Sequence, residues 1–283
     1  MDRGADPAPL TVAHDGLRIA ALDWGGAGPP LVLLHPNGFC AGLFDPLARR
    51  LRGSYRVVGV DLRGHGGSQA PATIGQCGYR DVAGDALAVL DALQLEEVFV
   101  VGESLGGSAA VLLDELRPGI VRHMLLCEAI AFPSLASGRG NVRADGARRR
   151  RAVWPDRATV VESFGSRPPL SVMEPEALAG YVRHGFRDRA DGQVELACPP
   201  AVEAWFFEGG ADGDGPEVTF AHLAALHAGA TVIKGTDTDL PAFFFAAQAE
   251  AAGTEVHEVT GSHFFLQESA ARAEELVRAH LSS

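Results

Sequence analysis

The stretch VFVVGESLGGSAAVLL, from Val98 to Leu113, constrains this chain more than any other. Its first part, Val98 to Val101, is apolar at every position. Runs of that kind are strands buried on both faces, as in a parallel sheet covered by helices. The run stops at Gly102, and a helical segment follows almost at once, over Ser108 to Leu116. A connection so short leaves no room for side chains at its corners, which accounts for Gly102, Gly106 and Gly107. It does not account for Ser104. In the spacing G-x-S-x-G, at the junction of a buried strand and a helix, the turn lifts Ser104 above the sheet. The N–H groups of a helix beginning near Leu105 then point at any anion formed there.

Strand and helix alternate through most of the chain. Leu10–Val12 and Leu17–Leu22 read as a hairpin turning at His14-Asp15-Gly16. Strands follow over Leu31–Leu34, Tyr55–Val60, Val98–Val101 and Met124–Cys127. Helical periodicity lies between them over Leu43–Leu51 and Asp81–Leu93. The pattern breaks near Pro133. From there to about Gly215 the chain is rich in Arg, Pro and acidic residues, with helical pieces such as Pro175–His184. It then resumes with strands over Ala230–Lys234 and Glu255–Val259 and helices over Pro241–Ala252 and Ser269–Leu281. The expected fold class is α/β: a mostly parallel sheet flanked by helices, with an inserted, mainly helical cap. Residues 1–132 and 216–283 form the expected core, and residues 133–215 the cap.

Composition bounds the function. A chain of 283 residues, 47% hydrophobic, has the material for a sizeable core. A formal net charge of −12 argues against nucleic acid as a partner, since phosphate backbones are held by clustered Lys and Arg. The one basic cluster, Arg148 to Arg151, is expected to be a solvated helix face. The segment MDRGADPAPL has no apolar signal core, and no apolar run approaches a membrane span, so a cytoplasmic location is expected. Cys40, Cys77, Cys127 and Cys198 lack CxxC spacing, so reduced thiols and no metal site are expected.

Ligands in a parallel sheet sit beyond the carboxyl ends of the strands, so the residues after each strand are the candidates. A serine hydroxyl is a poor nucleophile until a base takes its proton. His263, in Gly261-Ser262-His263-Phe264-Phe265, alone among the ten histidines follows a late strand and precedes the last helix. The loop Leu34-His35-Pro36-Asn37-Gly38-Phe39 can bring a backbone N–H, from Asn37 or a neighbour, to the same point as that of Leu105. His35 itself is expected to pin that loop. Phe39, Glu103, Phe132 and Trp205 are the candidate pocket residues.

Together these features resemble the α/β-hydrolase family. Asp61-Leu62-Arg63-Gly64-His65-Gly66-Gly67-Ser68 is similar to the family's D-x-R-G-x-G-x-S loop, expected here as a structural brace. The resemblance runs from about Leu10 to Leu281, in the family's order of motifs, with the inserted lobe as the cap. Two positions depart from it: Pro36 where the family usually has glycine, and Glu103 where many members carry His, Gln or Trp.

The resemblance also implies an acid to orient His263, and two places compete. Most members carry it after the seventh strand, three residues past a glycine. Here that position is Thr238, flanked by Asp237 and Asp239. The other place is Glu128, at the end of the apolar strand Met124–Cys127. A carboxylate there is costly unless paired, and a histidine needing an orienting partner would pair it. A minority of the family places its acid there, and zearalenone-type lactonases carry a glutamate after this strand. Glu128 is the favoured acid and Asp239 the alternative.

The implied activity is that of a serine hydrolase acting on a small-to-medium apolar carboxylic ester or lactone through an acyl-enzyme. No organic cofactor or metal is called for. Two rivals stand beside it: carbon–carbon bond hydrolysis, or a lyase or cyclase of secondary metabolism, on the same site; and a non-catalytic ligand-binding protein of the same fold. The expected partner is a small-molecule substrate, with no membrane and with homodimerisation left open.

Overall fold

The computed structural model describes residues 6–133, 139–210 and 213–281. In chain order the strands are β1 (Ala8–His14), β2 (Leu17–Gly25), β3 (Pro30–Leu34), β4 (Arg56–Asp61), β5 (Val98–Glu103), β6 (Val121–Cys127), β7 (Val153–Trp154), β8 (Phe186–Asp188), β9 (Val194–Leu196), β10 (Gly229–Gly235) and β11 (Val256–Val259). The α-helices are α1 (Asp45–Leu51), α2 (Tyr79–Ala92), α3 (Leu105–Leu116), α4 (Arg139–Arg148), α5 (Arg157–Gly165), α6 (Pro175–His184), α7 (Pro200–Phe207), α8 (Pro216–Leu223), α9 (Ala242–Ala251), α10 (Phe265–Glu268) and α11 (Ala270–His280).

The main sheet has the order β1-β2-β4-β3-β5-β6-β10-β11. The β1–β2 and β2–β4 pairings are antiparallel and all the others parallel. The hairpin turns at Asp15 and Gly16, with φ of 48° and 72°. That two-residue turn suits the twist of the strands, and pairing continues beyond the expected ends, from Ala8 opposite Asp23. Successive strand residues feed opposite faces. Val32, Leu34, Val58 and Val60 pack toward α2 and α3, while Leu31, Leu33 and Val57 pack toward α1 and α11.

The chain passes from β3 to β4 on one side of β3, then crosses back to β5 on the other side. That reversal opens a crevice at the carboxyl ends of β3 and β5, where loops can approach a ligand. The Asp61–Ser68 loop borders it as a brace. Arg63, fully buried, grips Asp85 of α2 with two hydrogen bonds, at 2.7 and 2.8 Å, and also donates to Gln76 O and Asp81 O. Asp61 accepts the N–H groups of Ala41 and Gly67.

Between β6 and α8 the chain leaves the sheet. The lobe is mainly helical, as expected, and besides α4 to α7 it carries a small antiparallel sheet, β7-β9-β8. Strands this short present no period-2 pattern to read. Trp154, Val160, Tyr181 and Phe186 give the lobe an apolar centre that packs on Phe39 and Leu43 of the main body. The two ends of the lobe meet where Phe132 N–H donates to Pro216 O, 3.2 Å. Residues 134–138 and 211–212 of the expected cap lie outside the described residues.

The arginine run is not simply a solvated face. Arg148 pairs with Glu208 and Arg151 lies over the Trp154 ring, but Arg150 is turned inward onto Glu203 and the Tyr181 hydroxyl. All four cysteines are free and buried. Among the described residues no helix is long and apolar enough to cross a membrane.

Candidate active site

Ser104 sits between β5 and α3 with φ 55° and ψ −115°. A non-glycine residue holds such a conformation only where its surroundings over-determine it. Here they do. Ser104 N–H donates to Cys127 O, and Ser104 O accepts from Gly107, Ser108 and Ile130. The flanking glycines are required by close approach: a Cβ on Gly102 would come within 2.5 Å of Gly106 O, and one on Gly106 within 2.1 Å of Leu34 O. The result is a small hydroxyl at the floor of a cavity of about 1340 Å³ between core and lobe.

Glu128 follows β6 and is fully buried, at φ 54°. Its N–H donates to Ile233 O, and the next residues are fastened by Gln248 to Ala129 O and by Ser108 to Ile130 O. The carboxylate has three polar partners. Gly235 N–H reaches Oε1 at 2.7 Å, the Thr238 hydroxyl reaches Oε2 at 2.5 Å, and His263 Nδ1 lies 3.1 Å from Oε2. The loop carrying His263 is held by Glu268, which accepts Ser262 N–H, and by Asp237 N–H donating to Gly261 O. His263 and Ser104 line the same cavity. With Nδ1–H given to Glu128, the other ring nitrogen is left as an acceptor.

Asp239, the alternative acid, is placed elsewhere. Its side chain is 69% exposed and pairs with Arg143 at 2.6 Å. The residue in the register of the usual acid, Thr238, supplies a hydroxyl to Glu128 instead. Moving the carboxylate to the neighbouring strand leaves this loop as its donor. Thr238 and Gly235 were legible only once Glu128 was taken as the acid.

The loop after β3 presents one free donor. Gly38 N–H goes to His65 Nε2 and Phe39 N–H to Pro36 O. Among the described residues no acceptor lies within reach of Asn37 N–H or of Leu105 N–H, and both residues line the cavity. The Asn37 side chain is occupied, donating to Glu203 O. His35 does pin the loop: it bonds Pro36 O through Nδ1 and accepts Leu62 N–H at Nε2. His65 is a second pin that the sequence did not single out. Burial pushes His35 well down and His65 to about 4, so both are neutral. Neither lone pair is free for catalysis.

Phe39 and Phe132 line the cavity, Phe132 stacked on Phe244 at 3.9 Å. Two pocket assignments need correction. Glu103, the last residue of β5, is fully buried beneath the site, with Gln267 donating to its Oε2 at 2.7 Å. Trp205 packs against the main hydrophobic cluster, while its helical neighbours Phe206 and Phe207 turn to the cavity. No cluster of His, Cys, Asp and Glu among the described residues could hold a metal ion.

The model of the alpha/beta hydrolase family matches residues 31–279. The chain belongs to this family. Among curated relatives, the dihydrolipoyllysine-residue acetyltransferase component of the acetoin cleaving system of Pseudomonas putida is 26% identical over 244 residues, 85% of this chain and 61% of that protein. The 2-hydroxymuconate semialdehyde hydrolase of Pseudomonas sp. strain CF600 is 36% identical over 114 residues, 38% of this chain and 40% of that protein. The chain spans 61% of the length of the first relative and 40% of the second. Among solved structures, an E-2-(acetamidomethylene)succinate hydrolase superposes with a TM-score of 0.85 at 19% identity, over 98% of this chain and 100% of that one, and so shares its fold.

Proposed function

We propose that this chain is a serine hydrolase that cleaves a small-to-medium apolar carboxylic ester or lactone through Ser104, His263 and Glu128. The observation that carries the reading is the 3.1 Å contact between His263 Nδ1 and a fully buried Glu128 carboxylate, above the same cavity floor as Ser104. Glu128 fixes the imidazole tautomer and stabilises the imidazolium. The free nitrogen of His263 takes the Ser104 proton as Oγ bonds to the substrate carbonyl carbon. Asn37 N–H and Leu105 N–H hold the resulting oxyanion. His263 then returns the proton to the leaving alkoxide, which departs as an alcohol or, from a lactone, stays tethered. Water attacks the acyl-enzyme with His263 again as base, releasing the acid and restoring Ser104.

Phe39, Phe132 and Phe206 favour an apolar acyl or alcohol group. The named activity of the 2-hydroxymuconate semialdehyde hydrolase supports hydrolysis as the reaction class. A panel of esters and lactones, with a β-diketone alongside, tests this. Turnover of an ester or lactone should fall by about 10⁴-fold or more in Ser104→Ala. Turnover that survives Ser104→Ala, or product from the diketone alone, would overturn it.

A further inference from the structure

Three buried side-chain polar atoms among the described residues have no hydrogen-bond partner: Glu103 Oε1, Gln267 Oε1 and Gln248 Oε1. Two of them belong to one contact. Gln267 Nε2 donates to Glu103 Oε2, which leaves one oxygen unused on each side of the same pair. Two bare acceptors cannot satisfy each other, and buried polar atoms without partners are rare. A single hydrogen on Glu103 Oε1, shared with Gln267 Oε1, would remove both defects. It makes that oxygen a donor, and Gln267 Oε1 is the acceptor in want of one.

We propose that Glu103 is a neutral carboxylic acid in the native protein, joined to Gln267 by two reciprocal hydrogen bonds, and that this acid–amide pair is a positioning element of the site. Glu103 is the residue immediately before Ser104. Gln267 lies on α10, four residues after His263. The pair therefore ties the strand that carries the nucleophile to the turn that carries its base, without touching substrate.

The surroundings of Glu103 fit a proton there. The titratable groups that act on it are Glu128 and, opposite it in the β5–β6 register, Cys127. Burial drives the Cys127 thiol well up, so it stays neutral. Glu128 has three polar partners, Gly235 N–H, the Thr238 hydroxyl and His263. Glu103 has one donor and no cation. A neighbouring carboxyl with better support disfavours charge on the one with less, so the proton belongs on Glu103. Burial pushes Glu103 up to about 8, with Glu128 adding to the rise and the Gln267 bond opposing it.

The linkage has a definite sign. An unfolded glutamate titrates near 4.5 and the native one near 8. Between those values the native state holds a proton that the unfolded state has lost, so the stability contributed here falls as pH rises through that window and is flat above it. Glu103→Gln supplies the same shape and both hydrogen bonds with no proton to lose. Its melting temperature should match wild type below about pH 4.5, exceed it increasingly up to about pH 8, and keep a constant gap beyond.

The infrared difference between wild type and Glu103→Gln at neutral pH should contain a carboxylic-acid carbonyl band that fades in wild type as pH passes about 8. In Glu103→Met, which cannot bond Gln267, the rate at which a fluorophosphonate labels the protein should fall about tenfold, and far less in Glu103→Gln. Absence of the acid band, a Glu103→Gln protein less stable than wild type at pH 8 or unable to fold, or equal labelling by the two variants would overturn the proposal. The infrared and melting readouts need no turnover. If wild type does not label at all, the hydrolytic reading fails while the protonation of Glu103 is still decided.

Discussion

Arg63–Asp85 and His263–Glu128 are both buried carboxylates facing a nitrogen base, yet they are built for opposite ends. Asp85 meets a guanidinium in a two-bond fork, and Arg63 spends its remaining donors on the Gln76 and Asp81 carbonyls. The guanidinium is fully covered and stays charged throughout the ordinary pH range, so it cannot take up a proton. Glu128 is as deeply buried but is held by a backbone N–H and a hydroxyl, with an imidazole as its third partner. That partner can change protonation state, and its ring borders the cavity. What separates a brace from a candidate catalytic pair is therefore whether the base can change its charge and reach solvent, since burial of the acid is common to both.

The sharpest break between the two comes from deleting each carboxylate. Glu128→Ala should lower kcat by roughly 10⁴-fold, because His263 loses its tautomer and the stabiliser of its cation. Steady-state kinetics at fixed pH measures this. Asp85→Ala should act on folding instead, destabilising by about 3–5 kcal/mol by leaving a buried guanidinium without its partner. Urea unfolding reads that loss, and kcat per folded molecule should hold. Equal kinetic damage from both would erase the distinction.

Smaller effects sharpen it. Thr238→Val removes a hydroxyl from Glu128 and keeps the shape. A hydrogen bond to a charged acceptor is worth about 1.5–3 kcal/mol, so kcat should drop by about 10- to 100-fold with KM little moved. Asp239→Ala removes only an exposed partner of Arg143, worth about 0–1 kcal/mol, and should change kcat by less than about threefold.

Much of this arrangement was legible in the residues. The apolar runs of β3, β5 and β6 announce buried parallel strands, and Ser104 between glycines announces a strained turn. Glu128 could be read from physics: a carboxylate ending an apolar strand must have a partner. The same rule, applied to Glu103, would have placed it in the interior. Its proximity to Ser104 suggested the pocket, and its partner, Gln267, lies 164 residues away in sequence. Trp205 was misplaced because three adjacent aromatics on one helix cannot all face one way, and sequence alone does not give the rotation. The strands β7 to β9 were invisible because two or three residues carry no period. His65 escaped notice because its role, accepting Gly38 N–H, exists only when two loops meet.

The most direct measurement is the rate at which a fluorophosphonate adds to the protein, read by intact mass, in wild type, Glu128→Ala, Asp239→Ala and Ser104→Ala. A single adduct should form in wild type, at nearly the same rate in Asp239→Ala, far more slowly in folded Glu128→Ala, and not at all in Ser104→Ala. Undiminished labelling of Glu128→Ala with labelling lost in Asp239→Ala would contradict the assignment of Glu128 as the acid that orients His263.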